Sequence, residues 1–347
     1  MNKIKVSALF SILGLLFSCG ESDLSRNFAL EIEKGEKKIQ QDESVGVRLK
    51  NRADLPVDSV VYFLDGNPVT LTDGKLTLSD PVLGTKNLQA HVFSEGQKAI
   101  LETEILVLAK ERPALYTYEI LNSYPHDPKA FTQGLEFFKD TLYESTGRRG
   151  TSTLRKVDYK TGAVLTKVDL DKQYFGEGLT ILNDTIYMLT WQSGTGFMFD
   201  AKTLSKLGSF EYGESDEGWG LANDGVHIFK SDGTQRIWTL DPGTLQETGF
   251  VETVTDKSVF NKANELEYVG GKLYANVWQK ESMMIIDAKS GAIEGVVNFG
   301  GLKEKVGKHP ELDVFNGVAY HPGRNSFFVT GKNWDTLFEV RIFKKEG

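Results

Sequence analysis

From residue 28 onward, apolar and polar positions alternate in short runs, and few segments keep the 3.6-residue spacing of a long amphipathic helix. Runs such as Phe28-Ala29-Leu30-Glu31-Ile32 and Val45-Gly46-Val47-Arg48-Leu49, with those at 59–64 and 99–108, read as strands. Turn signals at Asp65-Gly66-Asn67-Pro68 and Asp73-Gly74-Lys75 separate them. Residues 28–112 are therefore expected to form a small immunoglobulin-like β-sandwich, with Glu111-Arg112-Pro113 as its boundary. That region carries no chemical constellation and reads as a spacer or docking module.

From about Ala114 the pattern repeats. Five segments open on Gln133-Gly134-Leu135-Glu136, Glu177-Gly178-Leu179-Thr180, Trp219-Gly220-Leu221-Ala222, Asn264-Glu265-Leu266-Glu267 and Asn316-Gly317-Val318-Ala319, spaced 44, 42, 45 and 52 residues apart. Each opening leads through a turn to a second strand. Four repeats then close with a third strand ending at an Asp turn, at Asp158, Asp200, Asp241 and Asp287. A period of about 40 to 50 residues holding several short strands is the signature of propeller blades. The expected fold class is all-β, with a five-bladed β-propeller over residues 113–347. The fifth repeat leaves almost no chain for an outer strand, while residues 116–121 stand alone before the first repeat. This early strand is expected to complete the last blade and remove two exposed edges. An open β-solenoid, the alternative, would need capping turns.

Composition agrees with many short strands: 35 Gly, 21 Phe and 12 Tyr in 347 residues. A net charge of −8 and the lack of a Lys/Arg-rich run argue against nucleic acid as a partner. At the N-terminus Lys3 and Lys5 precede an apolar run from Val6 to Phe17, too short to span a bilayer comfortably but suited to an export signal. The run ends in Leu16-Phe17-Ser18-Cys19, which resembles the lipobox of bacterial lipoproteins. Residues 1–19 are thus expected to be a signal segment with Cys19 as the lipidation site, and residues 20–27 a polar tether. Such a protein would sit in the cell envelope on a lipid anchor at the outer membrane, facing the periplasm or the outside. Cys19 is the single cysteine, so no internal disulfide is available.

The repeat also indicates where side chains gather. The first strand of each blade lines a propeller's channel, so Gln133, Glu177, Trp219, Asn264 and Asn316 are expected in one ring. In an antiparallel hairpin the end of the second strand lies beside the start of the first. Residues 14 positions later, Gly147, Trp191, Gly233 and Trp278, then reach the same mouth, with Lys332 in the corresponding place of the longer fifth repeat. Phe131 and Phe175, two residues before the first two openings, share that face. Aromatics interleaved with one acid and several donors describe a pocket for a small molecule or a chain end. Trp238, on a third strand, is expected to pack between blades. His91, His126, His227, His309 and His321 lie outside both rings without metal-ligand spacing, and neither a phosphate loop nor a serine nucleophile elbow occurs.

Taken in order over residues 116–342, several stretches resemble the glutaminyl-peptide cyclotransferases of the plant and bacterial type. They include Ala130-Phe131-Thr132-Gln133-Gly134-Leu135, Phe175-Gly176-Glu177-Gly178-Leu179-Thr180, Leu189-Thr190-Trp191 and Gly218-Trp219-Gly220-Leu221. Asn264-Glu265-Leu266-Glu267-Tyr268, Ala275-Asn276-Val277-Trp278 and Val329-Thr330-Gly331-Lys332 continue the match. The resemblance implies a five-bladed propeller that needs no cofactor or metal, acts on peptides or proteins with N-terminal Gln, and forms pyroglutamate with release of ammonia. It implies a catalytic acid at Glu177 and pocket residues at Phe131, Gln133, Phe175, Trp191, Trp219, Asn264, Trp278 and Lys332. The lipobox and the extra N-terminal β-domain depart from it.

The chemistry fits these residue types. An aromatic box can hold the folded-back glutamine near its attack geometry, and desolvation favours a neutral amine and a neutral carboxylic acid. Glu177 can pass a proton from amine to departing ammonia, while Asn264, Lys332, Gln133 or a Trp indole N–H are open candidates for the oxyanion. A non-catalytic, surface-tethered propeller binding a peptide terminus or small ligand is the alternative. A lactonase- or phosphotriesterase-like propeller would need a carboxylate cluster around Ca²⁺ on the axis, whereas only Glu177 brings a carboxylate to the first ring.

Overall fold

The computed structural model describes residues 23–35, 37–79 and 82–346. The export-type run, Cys19 and the start of the expected tether lie outside the described residues. Residues Asp23–Asn27, expected to end that tether, instead form a short 3-10 turn. Leu24, the one large apolar residue of that polar stretch, is buried there with Phe28, Ala90 and Val92.

Apart from three such short turns, the regular structure of the described residues is β-strand. Two compact units emerge. One takes the described residues up to 35 with Val45–Leu76 and Asn87–Glu104, and the other Lys37–Ser44, Thr77–Lys86 and Ile105–Gly347. Most of the first unit comes from a three-stranded sheet, with Phe28–Ile32, Ser44–Asn51 and Lys75–Thr77 in that order, and from part of a second sheet in which Ser59–Leu64 lies beside Asn67–Val69 and Gly84–Ser94. Period-two alternation accounts for its core: Val45 and Val47 turn inward while Arg48 faces solvent.

The second unit repeats one motif. Its first sheet runs Thr132–Phe138, Thr141–Thr146, Thr153–Asp158, Ala163–Asp169. The second runs Gly176–Leu182, Thr185–Thr190, Thr195–Asp200, Lys206–Glu211, and the third Leu221–Asn223, Ile228–Ser231, Arg236–Leu240, Glu247–Glu252. A fourth set, Ala263–Val269, Lys272–Val277, Ser282–Asp287 and Ile293–Asn298, joins a fifth made of Phe315–His321, Ser326–Gly331, Thr336–Lys344 and Ala114–Pro125. Ala114–Pro125 pairs antiparallel with the C-terminal strand from Pro125↔Thr336 to Tyr116↔Lys344, and its first residues run parallel to Ile293–Asn298.

Burial follows position in the sheet. Every residue of Gly176–Leu182 is buried, whereas the outer strand Ala163–Asp169 is almost wholly exposed. The first strands touch one another in a closed cycle, each beside the next and the fifth beside the first. Apolar clusters fill the spaces between successive sheets, and Leu135, Leu142 and Val157 of the first meet Ala319, Phe328 and Leu337 of the fifth. The repeated aspartates shape the turn into each fourth strand: Asp200, Asp241 and Asp287 accept from the backbone N–H three residues on.

The innermost strands leave one edge of backbone N–H groups without a fifth strand to pair with. Glu136 accepts from Ile181 N–H and the Thr180 hydroxyl, and Glu265 from Leu135 N–H and Val318 N–H. These side chains tie the first strands of different repeats together and satisfy donors that burial would otherwise strand.

Candidate active site

In each repeat the hairpin register brings the second-strand end to the first-strand start. Gly147 N–H donates to Phe131 O at 2.8 Å, Trp191 N–H to Phe175 O at 2.9 Å, Trp278 N–H to Lys262 O at 2.9 Å and Lys332 N–H to Val314 O at 2.9 Å. In four repeats the pairing slips at the opening residue, between Thr132 and Gly134, Gly176 and Leu179, Ala263 and Leu266, and Phe315 and Val318. A bulge of this kind re-aims a side chain, here at Gln133, Glu177 and Asn264. The third opening, Trp219, lies just ahead of its strand.

These side chains line one cavity of about 190 Å³. Its walls are Phe131, Phe175, Trp191, Trp219 and Trp278, and its polar groups are Gln133, Glu177, Asn264 and Lys332. The rings meet edge to face: Phe131 and Phe175 at 6.0 Å, Phe175 and Trp191 at 5.5 Å, Trp219 and Trp278 at 5.6 Å between centroids. The two glycines of the second ring make room for them. A Cβ on Gly233 would stand 2.5 Å from the Trp219 ring, and one on Gly147 would overlap Phe175. Asn316 stands outside the cavity lining, donating to Thr132 O and Gln133 Oε1. Trp238 is buried in an intersheet cluster, its indole N–H held by Asp232 at 2.7 Å.

Glu177 is buried and accepts from Gln133 Nε2 at 2.7 Å. Burial pushes its carboxyl well above the usual carboxylate range; the Lys332 charge opposes this, and the carboxylate of Glu217 adds to it. Lys332 is buried as well, its ammonium 4.8 Å from the Phe131 centroid, and burial lowers its pKa while Glu177 and Asp313 raise it. A buried acid and a buried amine thus face the same space, each drawn toward the middle of the pH scale.

The sequence reading missed Glu217. Its Oε2 accepts the indole N–H of Trp191 at 2.7 Å and that of Trp219 at 2.8 Å, and its Oε1 accepts from Gln192 at 3.1 Å. The loop that carries it is tied down. Glu247 accepts from the backbone N–H of Glu214 and Ser215 and from the buried Lys230 ammonium, which lies 3.5 Å from the Tyr212 centroid. A signal was present: Glu217 precedes Trp219 by two residues, the register place that Phe131 and Phe175 hold in their repeats.

These contacts sort the candidate donors in the cavity. Two of the three cavity indoles are committed to Glu217, and Gln133 to Glu177. Among the described residues, the Asn264 carboxamide and the Lys332 ammonium have no hydrogen-bond partner while lining the cavity. The Trp278 indole is likewise uncommitted. No group of three or more His, Cys, Asp or Glu side chains among the described residues is arranged to hold a metal ion.

Comparisons with known proteins converge on one family. The family model of the glutamine cyclotransferases matches residues 96–342. A glutaminyl-peptide cyclotransferase of Arabidopsis thaliana is 40% identical over 234 residues, covering 65% of this chain and 71% of that protein. The crystal structure of Myxococcus xanthus glutaminyl cyclase superposes with a TM-score of 0.63 at 32% identity, covering 67% of this chain and all of that one. On a match spanning most of its length, the chain belongs to the glutamine cyclotransferase family.

Proposed function

We propose that this protein is a glutaminyl-peptide cyclotransferase, which converts the N-terminal glutamine of peptides or proteins to pyroglutamate and releases ammonia. The observation that carries the reading is the single buried carboxyl, Glu177, facing a one-residue aromatic cavity that also holds a buried Lys and an unpartnered carboxamide. Reaction joins the substrate's α-amine to its own side-chain carbonyl carbon. The aromatic walls formed by Phe131, Phe175, Trp191, Trp219 and Trp278 hold the side chain folded back and exclude water. Glu177, acting from its ionised form, takes a proton from the attacking nitrogen; the bond from the carbonyl carbon to the amide nitrogen then breaks as Glu177 returns the proton to it, and ammonia leaves. The carboxyl ends as it began, so no second substrate is consumed. Asn264 and Lys332 stabilise the oxyanion that develops on the carbonyl oxygen, and Gln133 holds the Glu177 carboxyl in place. Glu217 orients the indoles of Trp191 and Trp219 from behind.

We read the second unit's repeats as the blades of a five-bladed propeller within residues 113–347. The closed cycle of first strands and the apolar clusters between successive sheets support this. We read residues 28–112 as an immunoglobulin-like spacer, supported by its two sheets. For residues 1–19 we propose a signal segment with Cys19 as lipid attachment site and residence in the cell envelope, on the strength of the Leu16-Phe17-Ser18-Cys19 stretch. Fatty-acid labelling that persists in Cys19→Ser would refute the anchor. The activity is tested by mass spectrometry of Gln-initiated peptides with purified protein in chelator. Unchanged peptides, in chelator and with divalent metals restored, would refute the enzymatic reading.

A further inference from the structure

The cavity of about 190 Å³ is smaller than a pocket for a drug-sized ligand, commonly about 300 to 1,000 Å³, and its size suits a single folded-back residue. The rest of a substrate polypeptide must leave over the rim. One much larger cleft, of about 940 Å³, adjoins it there, and Phe131 is a wall of both. Gly147, also on the cleft wall, sits against Phe175 and Gln133 of the cavity.

Charge in the cleft runs against the charge of the chain. Lys129, Arg148, Arg155, Lys167 and Lys172 line it, against the carboxylates of Asp127, Asp169 and Glu311. Arg155 is buried and paired with Asp127 at 2.9 Å, and Lys167 is paired with Asp169 at 2.7 Å. Arg148, Lys129 and Lys172 have no carboxylate partner among the described residues. Three unneutralised cations therefore stand against one carboxylate, on a protein of net charge −8. Arg148 is fixed at the junction of cleft and cavity. Its guanidinium lies 4.4 Å from the Phe131 centroid and donates to Asn333 Oδ1 at 3.1 Å, and its backbone holds a φ of 79°, a conformation a non-glycine residue keeps only when its surroundings demand it. On the outer strand Ala163–Asp169, which also carries Lys167, Val164 and Leu165 expose apolar surface to the cleft.

We propose that this cleft binds the two to four residues that follow the substrate's N-terminal glutamine, and that it favours acidic side chains there. The inference rests on the cyclotransferase reading of the cavity. Lys129 and Lys172 supply a field that attracts carboxylates as the chain leaves the cavity, while Val164 and Leu165 cover its apolar parts.

The test measures kcat/KM by ammonia release for three peptides that begin with Gln and continue with two Glu, two Ala or two Lys. The wild-type protein is compared with the double variant Lys129→Glu/Lys172→Glu at low and high salt. The wild type should prefer the Glu peptide over the Lys peptide by about three- to tenfold at low salt, mainly through KM, and the preference should fade at high salt. The double variant should reverse the order of the two charged peptides. Equal kcat/KM for all three peptides, or a preference the double variant leaves intact, would overturn the subsite while leaving the activity standing. Absence of ammonia from every peptide would overturn the activity, and the subsite with it.

Discussion

Replacing Glu177 by Gln separates chemistry from architecture. The carboxyl is buried and meets the protein through one bond, accepted from Gln133 Nε2 at 2.7 Å, which the carboxamide oxygen of the replacement can accept equally well. No cavity opens and no buried donor loses its partner, so substrate affinity should be kept. What disappears, under the proposed mechanism, is the proton shuttle, a loss of about 10² to 10⁴ in kcat, or roughly 3 to 5 kcal/mol of barrier. Stability should move the other way. The folded-state pKa of Glu177 is raised by burial, so its contribution to stability is full at acid pH and is lost as pH rises from the ordinary carboxylate range through the folded value. Above that value the native protein holds an ionised carboxylate in a dry site. Glu177→Gln removes this burden and should melt no lower than wild type at neutral pH, with a lead that widens toward alkaline pH. Ammonia-release kinetics and thermal melts on the same preparations decide the matter. A variant with the wild-type kcat would take the acid/base role from Glu177 and make Lys332 the next group to test. One that is inactive and melts well below wild type would refute the claim that the carboxyl serves chemistry at the expense of stability.

The two charges that act on Glu177 should move its titration in opposite directions: in Glu217→Gln the limb of the pH–rate profile governed by Glu177 shifts to lower pH, and in Lys332→Met to higher pH. A pH series of kcat/KM checks this, and equal shifts of one sign would refute it. Asn264→Ala removes a cavity-lining carboxamide with no other hydrogen-bond partner among the described residues and should cost kcat about 2.7 to 4 kcal/mol, with KM little changed, in steady-state kinetics. Glu136, which accepts from Thr180 and Ile181, is pushed by burial from its ordinary value near 4.5 up to about 8. The stability it contributes is full at acid pH and lost as pH rises toward about 8, so the melting temperature should fall over that window, and less steeply in Glu136→Gln.

Much of this molecule was determined by local pattern. Period-two alternation and the spacing of the five openings identify the strands, their grouping and the residues that gather at one mouth, because a β-hairpin converts sequence separation into spatial register with little freedom. The Asp that ends four third strands marks its turn for the same local reason. Tertiary structure decided what register alone does not contain. The bulges at Gln133, Glu177 and Asn264 depend on neighbouring strands, and they aim those side chains into a common space. The same period-two step that singled out Phe131 and Phe175 pointed equally to Glu217, but only packing put its carboxylate between two indoles. Likewise, a Glu on an inner strand reads as channel lining, yet Glu136 and Glu265 are backbone acceptors between repeats, since those backbone partners lie 45 or more residues away and only closure of the chain brings them together. Leu24 makes the same point at the chain's start, where a polar neighbourhood suggested a tether and the core of the first unit took in the one side chain that water disfavours.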